Sequence, residues 1–524
     1  MLMEKGKDMK HIDFETPPEP YWLASSGRTN YPALDNDIKV DAAIVGGGMV
    51  GITSAYLLKK AGLRVAVIEA DRILQGTTGH TTAKITSQHS LIYAKIKNYM
   101  GEEKARQYAE ANEAAISTIS GLIKQEGISC DFHWEPAYTF TLTDSYLQKI
   151  ADEANVAASL GIKASFIEDI PLPFKVKGAV RFDDQARFHP RKYLLALAGK
   201  IDGDGSFIFE HTRVADINEG NPGIVITNQG KRITADNVII ASHFPCYDGM
   251  GFYFARMYPE RSYAMAVKVK EKFLGGMYIT AEDPAKSVRS QEHEGEELLI
   301  VSGEHHKTAH GTDLYKHYEN LMEFTKKHYD VQELLFRWST QDYTTIDKVP
   351  YVGRLTSKTP NIYVATGFRK WGMTNSTAAA MIIKDLIMKG ENPWADVYDP
   401  SRFIPNPSIT SFISINADVA AKFITGKLKP VPHDIDIEKG KAKAVEIEGH
   451  KMGVYRDEKG QLHTVDTTCT HMGCELKWND AEKSWDCPCH GSRFTYEGEI
   501  IEGPAINKLQ HDCHSKNKID PNIM

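Results

Sequence analysis

DAAIVGGGMVG, residues 41–51, decides the fold. DAAIV reads as a short buried strand, and it runs directly into Gly46, Gly48 and Gly51 in G-x-G-x-x-G spacing. Beyond Gly51, the apolar residues Ile52, Ala55, Tyr56 and Leu58 recur near helical spacing, predicting a helix over 51–61. RVAVIEA, residues 64–70, reads as a second buried strand with Glu69 at its end. This order is that of a dinucleotide-binding unit. Gly46 permits the tight turn, Gly48 lets a pyrophosphate approach the backbone, and Gly51 lets helix and strand pack closely. The helix N-terminus faces the phosphates, and Met49 and Val50 lie in the glycine turn that leads to it. Glu69, followed by Ala70, stands where a ribose hydroxyl needs an acceptor. A glycine-rich turn in a phosphate-free α/β fold leaves Glu69 unexplained. The motif alone does not separate FAD from NAD.

Outward from this unit, 524 residues are too many for one hydrophobic core, since domains run to roughly 100–200 residues. Residues 1–37 read as a polar, proline-containing arm. Helical patterns dominate 93–128, and a further helix is expected near 152–160. Residues 223–242 predict a hairpin with a Gln-Gly turn, and 265–301 predict antiparallel strands. NIYVATG, 361–367, is another buried strand, and a helix is expected over 374–388. A linker over 399–431 holds a proline-rich join and an amphipathic stretch. Short alternating segments over 432–515 suggest a small all-β domain, and 516–524 a tail.

A net charge of -7 argues against nucleic acid and against a large basic membrane-binding field. No apolar run of about 18 residues is present to span a bilayer, and the first residues lack a signal-type apolar core. A cytoplasmic location is the expectation. Five of the seven cysteines crowd the C-terminal end, which favours a metal domain over a secreted disulfide scaffold.

GTTGHTTAKIT (76–86), paired with VPYVGRLTSKTPNIYVATGFRKWGMTNSTAAAMIIKDLI near the end of the first part, resembles the D-amino-acid oxidase, glycine oxidase and sarcosine oxidase family of flavoproteins. The likeness covers about 38–395, within an oxidoreductase domain read as 38–398, and implies FAD. It implies an α/β Rossmann-like FAD-binding domain interleaved with an α+β substrate domain. It places Thr77, Thr78, Thr81 and Thr82 along the flavin and Val214 at the adenine end. It also brings Gly367, Lys370, Gly372, Met373 and Thr374 to the isoalloxazine ring, where a helix N-terminus favours an anionic reduced flavin. Some family members attach FAD covalently, and His80 lies near one such position. An amine or amino-acid-like substrate is implied, oxidised by hydride transfer to the flavin. An arginine commonly holds its carboxylate. Candidates here are Arg261, Arg337 and Arg369, with Tyr263 and Tyr343 as neighbours.

Near the other end, CTHMGC (469–474) and CPCHGS (487–492) bring four cysteines and two histidines together. Cys469, His471, Cys487 and His490 suit tetrahedral zinc by residue type, but zinc-finger histidines usually come as a pair on one helix. The two stretches closely resemble Rieske domains, whose 2Fe-2S cluster has two Cys on one iron and two His on the other. The resemblance implies a disulfide between Cys474 and Cys489, as in the Rieske proteins of quinol-oxidising complexes. GPAINKL (503–509) matches the loop that shields such a cluster. Cys513, with His511 and His514, reads as a surface tail.

A flavin joined to a one-electron centre implies a dehydrogenase that passes electrons to an external acceptor. The reverse flow, from a redox partner to the flavin, and a regulatory or structural cluster are the competing expectations. A Rieske oxygenase would need a mononuclear iron site in place of the flavin domain.

Overall fold

The computed structural model describes residues 17–511 except 312, 430, 433–435 and 448. Cys513, His514 and the 516–524 tail lie outside the described residues.

The strand Ile38–Val45 sits centrally in the first sheet. It pairs in parallel with Val65–Ile68 on one side and with Arg232–Ile240 on the other. Ile362–Thr366 extends the parallel set from Arg232–Ile240. Both faces of Ile38–Val45 are covered, so its side chains from Ala42 to Val45 are all buried. The glycine helix spans Met49–Lys60, starting two residues before the expected Gly51. Its close approach to the strand is fixed by Gly51, where a Cβ would lie 1.9 Å from the Gly46 carbonyl oxygen. The predicted hairpin is present as Gly223–Thr227 and Arg232–Ile240. The late helix spans Gly372–Lys389, again beginning two residues early, and packs beside the glycine helix.

A second, eight-stranded mixed sheet forms the other half of the large domain. Its longest strands, Met257–Val269 and Val331–Thr345, are antiparallel neighbours. Together the two sheets make the expected Rossmann-like domain interleaved with an α+β domain. The described part of the N-terminal arm departs from expectation. Residues 17–37 are not a loose polar segment, because Trp22 is fully buried and Tyr21 and Leu34 nearly so. The Trp22 indole donates to the Thr81 carbonyl at 2.6 Å, tying this segment to the flavin-side loop.

The 399–431 linker carries a 24-residue helix, Pro405–Leu428. Beyond it are a three-stranded and a four-stranded antiparallel sheet. Their core includes Val465, Trp485 and Phe494 together with the four cysteines of the two loops. Among the described residues, no helix is long and apolar enough to cross a membrane.

Candidate functional site

A cavity of about 1010 Å³ opens between the two sheets of the large domain. It lies at the upper end of the roughly 300–1,000 Å³ usual for ligand sites. Gly46, Gly48, Met49 and Val50 line one end. The helix they begin has Gly48 at its N-cap and no side chain capping it. Gly372 and Met373 line another part, at the start of a helix that also lacks a side-chain cap. Two helix N-termini therefore present positive dipole ends to one cavity, an arrangement that suits an anionic, elongated ligand.

Glu69 and Ala70 lie along the same wall. The Glu69 carboxylate accepts the Gly47 N–H at 2.7 Å and the Asp71 N–H at 3.0 Å, which fixes it at the end of its strand. Val214 lines the wall nearby. Thr77, Thr78, Thr81 and Thr82 all reach the cavity. Thr78 accepts the Met49 N–H at 3.1 Å, and Thr77 donates to the Gln341 carbonyl at 3.2 Å. His80 also lines the cavity, its Nδ1 donating to the Gly76 carbonyl at 2.8 Å.

Three expected residues sit behind the wall. Gly51 packs against Gly46, as above. Gly367 packs against Thr345, which a Cβ would meet at 2.4 Å. Thr374 is buried, its hydroxyl 2.8 Å from the Thr86 carbonyl and 3.0 Å from His89 Nε2. They support the wall from behind.

The structure separates the arginine candidates. Arg261 lines the cavity, but its guanidinium is already engaged by carboxylates of the C-terminal domain: it pairs with Glu482, and its Nη1 lies 3.4 Å from Glu502. Arg337 lies outside the cavity wall, over the Tyr318 ring at 5.1 Å. Arg369 also lies outside it, its N–H bonded to the Tyr343 carbonyl at 2.9 Å. Tyr263 and Tyr343 do line the cavity, as does Lys370, whose ammonium is 4.0 Å from Glu260.

Sequence reasoning missed two polar groups on this wall. Lys84 donates to Ser287 at 2.8 Å, and burial beside Arg289 pulls its ammonium down to about 7. No periodicity marked it: the strand begins only at Lys84, and Ala83 before it has φ of +58°. Asp342 is the second, its carboxyl pushed up to about 8, chiefly by burial, with Lys370 opposing and Glu260 adding. Asp342 gave no signal either. It becomes a cavity residue because Val331–Thr345 pairs with Met257–Val269 and sets Asp342 opposite Glu260.

The C-terminal domain closes the cavity. Glu482, Arg493, Glu502, Gly503 and Pro504 all contribute to its wall. Arg493 pairs with Glu482, with Asp486 at 3.1 Å and with Glu502 at 3.0 Å, so Arg261 joins a buried network that crosses the domain boundary. The two cysteine–histidine loops meet beside this wall. Cys474 and Cys489 form a disulfide between them, while Cys469 and Cys487 are free and buried. The His471 and His490 rings stand 5.1 Å apart, and the Nδ1 of each is buried without a hydrogen-bond partner. Burial lowers both imidazoles to about 4, keeping them neutral, the form that ligates metal. A hydrogen bond with Cys487 lowers the Cys469 thiol to about 7. Two thiols and two orphaned neutral imidazole nitrogens are the donor set of a Rieske cluster.

The loops sit directly on the large domain. Gly491 has φ of +80°, and a Cβ there would lie 2.6 Å from Pro259, so the contact requires glycine. The Gln341 amide donates to the Gly491 carbonyl at 2.8 Å. The His471 ring packs against Phe244 at 6.2 Å, and Phe244 lines the cavity.

Comparison with known proteins agrees with both sites. The model of the FAD dependent oxidoreductase family matches residues 41–386, and that of the Rieske [2Fe-2S] domain matches 427–512. The Rieske 2Fe-2S iron-sulfur protein YhfW of Bacillus subtilis (strain 168) is 46% identical over 494 residues, covering 94% of this chain and 97% of that one. The gamma-glutamylputrescine oxidoreductase of Escherichia coli (strain K12) is 24% identical over 396 residues, covering 70% of this chain and 88% of that one. The solved structure of L-proline dehydrogenase from P. horikoshii has a TM-score of 0.58 at 21% identity, covering 70% of this chain and 98% of that one. The large domain binds FAD and the C-terminal domain binds a 2Fe-2S cluster.

Proposed function

The chain belongs to the FAD dependent oxidoreductase family and carries a Rieske [2Fe-2S] domain; on that premise we propose that it is a dehydrogenase for an amine or amino-acid-like substrate, electrons leaving the flavin site singly through the Rieske centre to an external acceptor. One observation carries this reading: the loops that hold the cluster ligands pack against the flavin cavity's wall, and residues 500–506, the segment that runs into the shielding loop, line it. Tyr343 lines the cavity and contacts the backbone of both His490 and Gly503. One side chain thus joins the cavity wall to a loop that would hold the cluster.

The names of the Escherichia coli relative and of the proline dehydrogenase support an amine or amino-acid-like substrate. The polar residues of the wall fit such a molecule. Asp342, its carboxyl held protonated near neutral pH, and Lys84 both offer hydrogen-bond donors on the same cavity. The ion-pair network around Arg261 ties the two domains together at the cavity's edge.

Anaerobic photoreduction of the bound flavin, followed by freeze-quench EPR, tests the relay. The expected result is a reduced Rieske signal that grows as the flavin reoxidises. A flavin that stays reduced beside a cluster that stays oxidised would sink the proposal.

A further inference from the structure

The helix Pro405–Leu428 turns an apolar stripe to the outside. Ile413, Ala417, Ala420, Ile424 and Leu428 follow one another at helical spacing and are all exposed, Ile413 at 62% and Leu428 at 76%. The opposite side is anchored: Ile415 is buried, Val419 packs on the C-terminal core, and Asn416 donates to the Ala255 carbonyl at 3.0 Å. A surface helix ordinarily turns its polar side outward, so this stripe marks a contact face.

The face continues around the cluster loops. A Cβ at Gly473 would lie 4.0 Å from Phe423, and the neighbouring Met472 is 49% exposed. On the other side, Met250 and Phe252 are exposed. Phe252 meets Phe254, and Phe254 meets the His490 ring at 5.9 Å. The exposed apolar residues therefore flank the histidine pair.

Charge selects the occupant. The chain carries a net -7, yet this face presents Lys427 and Lys429, with the Lys427 ammonium 4.8 Å over the Phe423 ring. Asp418 pairs with Lys307 at 3.0 Å, and Asp248 accepts the amides of Phe252 and Tyr253, each at 2.8 Å. Glu475 accepts the Thr467 hydroxyl near Lys427 and Lys451, while Lys422 and Lys429 stand near Lys477. A two-fold dimer through this face would bring its lysines toward their own copies. An anionic lipid surface would meet the lysines with phosphates and the apolar stripe with acyl chains. We propose that the helix Pro405–Leu428 and its flanking loops seat the protein on an anionic bilayer, beside the histidine edge of the Rieske centre.

The test is vesicle flotation of the full holoprotein with phosphatidylcholine vesicles, with and without about one-third phosphatidylglycerol. Ile424→Glu/Leu428→Glu is the variant, and its flavin and cluster absorbance checks that it folds. The expected result is flotation with the anionic vesicles, at least tenfold weaker for the variant and weakened by salt. Absence of flotation would overturn the proposal, as would binding that survives the substitutions. A lipid-free dimer that the substitutions convert to monomer would also overturn it, assigning the face to a second copy.

Discussion

The Tyr343 hydroxyl lies 3.1 Å from the main-chain carbonyl oxygen of His490 and 3.0 Å from that of Gly503, so one side chain of the flavin cavity holds both a cluster-ligand loop and the shielding loop. The Gln341 amide donates to the same hydroxyl at 3.3 Å and orients it. Tyr343 is buried, and this contact bridges the cavity wall and the cluster-ligand loops.

Tyr343→Phe keeps the ring and removes the hydroxyl. The loss of one such hydrogen bond costs about 1 kcal/mol, so the protein should fold and hold both cofactors. The expected effect is a shifted cluster potential and slower cluster reduction after flavin photoreduction, read by redox titration and freeze-quench EPR. Wild-type values for both would remove Tyr343 from the coupling.

Glu482→Gln leaves Arg261 and Arg493 with one fewer carboxylate in a buried network. Breaking a buried pair costs about 3–5 kcal/mol, and here the strain falls on the domain boundary. The melting temperature should drop and protease should cut the 399–431 join faster. If Arg261 served instead as a substrate-carboxylate clamp, Glu482→Gln would leave stability unchanged.

Asp342 gives a pH signature. Its carboxyl is raised in the folded protein to about 8, so the folded state binds a proton more tightly than the unfolded chain does. The stability from this group is present below the ordinary carboxylate range, about pH 4, and is lost as pH rises through about 8. Asp342→Asn should therefore melt higher than wild type at pH 8, with the gap shrinking toward pH 5. A gap that is constant across that window would mean Asp342 does not titrate this way.

The Cys474–Cys489 bridge clamps the two cluster loops. Replacing both cysteines with alanine should cost about 2–5 kcal/mol in this small domain. Cluster absorbance should then bleach faster in the presence of an iron chelator, while the flavin spectrum stays. Equal bleaching rates would show that the clamp does not protect the cluster.

Much of this was legible in the chain. The Gly46, Gly48 and Gly51 spacing with Glu69 marked one end of the cavity, because those residues act through local backbone geometry. The paired cysteine–histidine loops were equally local. The surroundings of the arginine candidates were not legible, for the opposite reason. Whether Arg261 meets a substrate or a protein carboxylate depends on Glu482, 221 positions away in sequence. Trp22 likewise read as part of a polar arm, since its burial comes from segments distant in the chain.

By itself, the sequence determined the two cofactor-binding units, since turn geometry, helix termini and metal donors are set over a few residues. Only the tertiary structure decided that the units share a cavity. That depends on Gly491 meeting Pro259 and on Arg261 meeting Glu482, contacts between surfaces that no local pattern encodes. The physical reason is that packing and ion pairing act through space, where sequence spacing carries no distance.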